Sequence, residues 1–204
     1  MAKRLRLSTV LFFSLSLLSP LSFAQGIDKY QMLNYLDNYG NLDLRDKPFD
    51  SLPDGLVVKG NLNISETPIK SLPANIDIKG NLNASNSELS SIPAGVKIKG
   101  YANLLGSKIK RWQSGVQVGG FLNFTDTPLE RLPARMQVKG DLSVIRTPLK
   151  ELPNGIVVEG NLYIGGSAIR TFPDTMTVRG NIYLGGNPIS KWPTNLTLGG
   201  AVAR

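Results

Sequence analysis

"SLPDGLVVKGNLNISETPIK" at residues 51–70 runs without a gap into "SLPANIDIKGNLNASNSELS" at 71–90, and the two blocks share their apolar positions, their proline and a Lys-Gly-Asn step. The period of 20 continues through 91–110, 111–130, 131–150, 151–170 and 171–190, ending in the partial block "KWPTNLTLGGAVAR" (191–204). No block needs an insertion. Glycine holds the tenth place throughout, at Gly40, Gly60, Gly80, Gly100, Gly120, Gly140, Gly160, Gly180 and Gly200. A fixed period of this length decides the architecture ahead of any local propensity. Blocks 51–70 to 191–204 are called coils 1 to 8 below; "GNLDLRDKPFD" (40–50) matches the second half of one more coil.

Within a block the apolar residues keep fixed places. They are place 2 (Leu52, Leu72, Ile92, Trp112), places 6 and 8 (Leu56 with Val58, Ile76 with Ile78), places 12 and 14 (Leu62 with Ile64) and place 19 (Ile69, Leu89, Ile109). Two pairs spaced by two predict two short strands per coil, with alternate side chains pointing inward. The place-10 glycine between them marks a corner where a β-carbon would be in the way. Proline at place 3 fixes the turn before the first strand, and Gly or Asn at place 5 suits a left-handed corner. One such coil cannot bury its inward face alone, so successive coils must stack. The expected fold is a mainly β repeat solenoid of about eight coils, about 35–40 Å long at about 4.8 Å per coil.

The first 24 residues differ in kind: Lys3, Arg4 and Arg6 precede an apolar run from Leu7 to Leu18, and "LSFA" (21–24) ends the segment with small residues. That pattern predicts a secretory signal peptide over 1–24, and the shortness of the apolar run and Pro20 argue against a transmembrane helix. The chain is therefore expected to be exported, to the periplasm, the cell surface or the medium, and not to span a membrane once cleaved. Removing the three basic residues of that segment lowers the formal net charge from +8 to +5. This is too mild for a nucleic-acid partner. Cysteine is absent, so neither a disulfide framework nor a lipidated cysteine is expected.

The "LP" step, the strand in "NLNIS" (61–65) and the apolar place 19 resemble a bacterial leucine-rich repeat, and the 20-residue length is similar to the short repeats of the YopM/IpaH effector family. The resemblance covers about residues 40–204. It implies a parallel sheet along one face that binds another protein. Three features depart from it. Where such repeats carry asparagine before the last leucine, this chain has Thr67, Ser87, Ser107, Thr127, Thr147 and Ser167, with Asn187 alone matching. Places 6 and 8 suggest a second strand at the back of each coil instead of a helix. An export signal is present, whereas a ligase domain and its cysteine are not.

At the ends, "GIDKYQMLNYLDNY" (26–39) sets Ile27, Tyr30, Leu33, Leu36 and Tyr39 at near-helical spacing before Gly40, which predicts a helical cap over 25–39 covering the first coil. The last coil stops at its fourteenth place, where Arg204 stands in an apolar position. That ending is expected either to pair with something or to mark a truncated remnant.

Outward residues of the second strand form two columns. Place 11 holds Asn61, Asn81, Tyr101, Phe121, Asp141, Asn161 and Asn181; place 13 holds Asn63, Asn83, Asn103, Asn123, Ser143, Tyr163 and Tyr183. Rings among amides suit a protein partner, and Tyr101, Phe121, Asn123, Tyr163 and Tyr183 are the candidate contact residues. The competing reading is that the asparagines stack as an amide ladder. Lys59, Lys79, Lys99, Lys139 and Arg179 share place 9 as a basic edge, which could meet an anionic envelope glycan or lipid, or could be a solvated corner that discourages lateral association. A third reading takes the place-17 hydroxyls as an ordered array of the kind ice-binding solenoids present. Catalysis is not expected: histidine and cysteine are both absent, the carboxylates are scattered, and the Gly-Gly steps lack the strand-to-helix setting of a phosphate loop. No cofactor or metal is implied.

Overall fold

The computed structural model describes residues 25–204. The signal-peptide assignment to 1–24 lies outside the described residues. Every coil contributes one strand to a parallel nine-stranded sheet, beginning with Leu42–Asp43 of the half coil and ending with Val202–Ala203. The register repeats the sequence period, with Leu62 opposite Leu82 and Asn63 opposite Asn83, and so on along the axis. This is the front sheet. A second set of strands at places 7 and 8 forms the back, as two four-stranded parallel sheets: 57–118 and 137–198. The chain is thus a parallel β-solenoid of about eight coils with one short helix, and both strands predicted per coil are present. No helix among the described residues is long and apolar enough to cross a membrane.

Place-10 glycine works through close approach. A β-carbon on Gly80 would lie 2.6 Å from the carbonyl oxygen of Gly60 in the preceding coil, too near for any side chain. The left-handed corners fall elsewhere. Place 5 has positive φ at Gly55, Asn75, Gly95, Gly115, Arg135 and Gly155, as expected there. Place 16 has it too, at Asp46, Glu66, Asn86, Gly106, Asp126, Arg146, Gly166 and Gly186. In coils 7 and 8 place 5 is Thr175 and Asn195, the left-handed corner is lost, and the back strands lengthen to Thr175–Val178 and Asn195–Leu198.

The interior is lined by the predicted apolar places, including Leu62, Ile64, Ile76, Ile78, Leu89 and Ile109. A seventh wall is polar. Thr67, Ser87, Ser107, Thr127, Thr147, Ser167 and Asn187 at place 17 are all buried. The hydroxyls of Thr67, Ser87, Thr127 and Thr147 donate to the carbonyl three residues back at 2.7–2.8 Å, closing the turn from inside. Asn187 reaches further: its Nδ2 donates to the Ile164 carbonyl (3.0 Å) and Ser167 Oγ (2.9 Å), and its Oδ1 accepts from the Gly166 N–H (3.0 Å), tying coil 7 to coil 6. An outward hydroxyl array is therefore ruled out, because the column serves the core.

The short helical cap is present, but it buries fewer residues than the spacing suggests. The helix is one turn, Lys29–Met32, closed by a capping box between Asp28 and Gln31, and it passes into a tight turn at Leu33–Tyr35. Ile27 and Met32 face the core, with Tyr35 packed edge-on to Phe49. Tyr30, Leu33, Leu36 and Tyr39 point out to solvent instead. The helical spacing failed because the helix ends before a second turn could align those residues.

Candidate binding surfaces

On the front sheet, most place-11 amides belong to the fold. Asn41 Oδ1 accepts from the Asn61 N–H at 2.7 Å, Asn61 Oδ1 from the Asn81 N–H at 2.8 Å, and Asn81 Oδ1 from the Tyr101 N–H at 3.0 Å. The same bond returns from Asp141 to Asn161 (2.7 Å), Asn161 to Asn181 (2.8 Å) and Asn181 to Ala201 (2.8 Å). Place 13 carries a second ladder, in which the Nδ2 of Asn83, Asn103 and Asn123 each donates to the amide oxygen one coil earlier. Asn123 ends that ladder, and its Oδ1 also accepts from the Thr125 N–H at 3.0 Å. Its amide is thus already engaged within the fold.

The four rings interrupt these ladders. Tyr101 and Phe121 stack at 4.4 Å with planes 8° apart; Tyr163 and Tyr183 stack at 4.7 Å and 3°. Those separations match the coil spacing, so the rings pile along the solenoid axis and each covers one face of its partner. Where Tyr101 and Phe121 replace asparagine, the N–H groups of Phe121 and Asp141 lose the side-chain acceptor that their counterparts keep. Phe121 is exposed and the three tyrosines are half-buried. The two pairs lie about 10 Å apart along the axis and about 7 Å across it. Asp141 sits in the coil between them. Burial pushes the Tyr163 phenol above its usual range, helped by the Asp141 carboxylate and Tyr183, and opposed by a hydrogen bond with Asn161.

Behind, the basic edge is not one uniform row. Lys79 Nζ pairs with Asp77 at 2.6 Å, and Arg179 Nε pairs with Glu159 at 2.6 Å. Lys59, Lys99 and Lys139 are exposed and form no ion pair among the described residues. Lys97, at place 7, adds an ammonium beside Lys99. A groove of about 670 Å³ brings Lys79, Lys97, Lys99 and Lys139 together around Gln117, Gly119 and Gln137. Lys59 and Arg179 lie outside it.

That groove straddles the break in the back sheet. Elsewhere the N–H groups of places 7 and 9 donate to the preceding coil, as from Gln117 to Val96 (3.0 Å), Gly119 to Ile98 (2.9 Å), Val157 to Met136 (2.9 Å) and Glu159 to Val138 (2.9 Å). Between coils 4 and 5 these bonds are missing, and Gln137 and Lys139 have no backbone acceptor. Coil 4 carries two large core rings, Trp112 and Phe124, packed edge-to-face at 5.2 Å, while its Val116 and Val118 are only half-buried. The ladder parts at this coil, whose back strand is the least buried of coils 2 to 6. The sequence showed Gly119 as a gap in the place-9 lysines; it gave no sign that the ladder ends there.

No family model matches the chain, and neither a curated protein nor a solved structure matches it.

Proposed function

We propose that this chain is an exported, non-enzymatic scaffold that binds a protein partner through the two ring pairs of its front face. The observation that carries the reading is the substitution of rings for ladder asparagines at Tyr101 and Phe121. Two side-chain-to-backbone bonds at about 1 kcal/mol each are given up there. Ring stacking at about 0.5–1.5 kcal/mol only offsets that loss. The rings give up two ladder bonds that the asparagine coils keep, and this departure from the repeat argues for a role outside the fold. Export rests on the basic-then-apolar character of residues 1–24.

A comparative capture from an extract of the source cell's exported fraction tests this. A partner held by the wild-type chain and by Lys99→Gln/Lys139→Gln, yet lost in Tyr101→Ala/Phe121→Ala and Tyr163→Ala/Tyr183→Ala, supports the front face. Equal retention by all four proteins would refute it.

A further inference from the structure

At the seam between coils 4 and 5, on the side away from the rings, we propose a binding site for an extended chain of phosphate groups. Four ammoniums line one groove, those of Lys79, Lys97, Lys99 and Lys139, and the last three have no carboxylate partner among the described residues. One carboxylate, Asp77, lines the groove itself, and a second, Glu159, is near. Asp77 is held by Lys79 at 2.6 Å, and Glu159, in the coil after Lys139, is held by Arg179 at 2.6 Å. The local field is therefore positive.

The second observation is independent of charge. The N–H groups of Gln137 and Lys139 lose their carbonyl acceptors where the back ladder parts. Free N–H groups at a sheet edge form an anion-binding concavity. The side-chain amides of Gln117 and Gln137 line the same groove. Gly119 stands where the coils on either side, at Lys99 and Lys139, place a long side chain, which leaves the middle of the row open.

Three features select the ligand class. Ammoniums bind phosphate as point charges, and the number of donors exceeds what one carboxylate can use. Lys79 and Lys139 lie three coils apart, about 14 Å, a span that needs several linked phosphates and not a single ion. No aromatic ring lines the groove, so nucleic-acid bases would find no stacking platform. Inorganic polyphosphate and a phosphodiester-linked polymer share this chemistry.

Titration calorimetry on the full mature chain decides the matter, with inorganic tripolyphosphate, a glycerol-phosphate oligomer, and polyglutamate of similar charge as probes. Binding of either phosphate chain, weakened at least about tenfold in Lys99→Gln/Lys139→Gln, is the expected result. The tighter of the two probes identifies the source. Lys59→Gln/Lys150→Gln removes two exposed, unpaired positive charges outside the groove, and less than about a threefold change is expected. Circular dichroism verifies that both variants fold. Polyglutamate binding as tightly as the phosphates, or both double variants losing affinity alike, would overturn the site by reducing it to diffuse charge. Attachment to phosphatidylglycerol vesicles without binding of the soluble chains would overturn it also.

Discussion

Place 17 is where a single side chain says most about this fold. A hydroxyl there takes the position a leucine-rich repeat gives to asparagine and meets a similar need, a donor inside the turn. Thr127 Oγ1 donates to the Phe124 carbonyl at 2.7 Å, whereas the Ser107 hydroxyl is buried with no partner. Thr127→Val should therefore cost about 1 kcal/mol, while Ser107→Ala should be neutral or stabilising. Urea unfolding midpoints of the two variants check the contrast. Gly80→Ala belongs to another class, because its β-carbon would press on the Gly60 carbonyl; a loss of about 1–3 kcal/mol is expected in the same assay. At place 16, Arg146 and Asp126 form a two-point ion pair, and the guanidinium holds the Asp126 carboxyl below the usual carboxylate range. A carboxyl whose folded value is lowered contributes stability above its unfolded value and loses it as pH falls through the folded one. Both groups are exposed, so the effect on stability is small. Carboxyl-carbon NMR should nevertheless find the Asp126 midpoint low, and Arg146→Gln should return it to the ordinary range.

One level up, the elements are a front strand that binds its neighbours throughout and a back strand that does not. Much of this was legible in the sequence. Spacing by two at places 6 and 8 and at places 12 and 14 gave both strands, and Gly or Asn at place 5 gave the left-handed corner. Less visible was place 16, where Glu66, Asp126 and Arg146 adopt positive φ although none is a glycine or an asparagine. Residue type did not betray that turn because stacking of successive coils imposes it. The short helical cap was legible too, but which of its five apolar residues face the core was not, since the helix is only four residues long. Of the candidate sites, the ring pairs could be named from alternation alone. Their stacking, the engagement of Asn123 in a ladder, and the recruitment of Lys97 to the groove depend on geometry between coils. For the ring element, Asp141→Asn should lower the Tyr163 ionisation midpoint by removing a nearby negative charge, which ultraviolet titration of the phenolate can follow.

Considered whole, the molecule joins a continuous front to a divided back. The front sheet keeps the ring pairs in fixed relation across coils 3 to 7, and the back divides between coils 4 and 5. That division underlies both the separation of the two faces and the groove between coils 4 and 5. Residue-resolved hydrogen exchange of residues 25–204 tests it most directly. Fast exchange at Gln137 and Lys139 is predicted, against slow exchange at Gln117, Gly119, Val157 and Glu159, with the front-sheet amides of Leu122 and Phe124 slow across the same junction. Equal protection of the back amides through coils 3 to 6 would contradict the divided back and remove the basis for the groove.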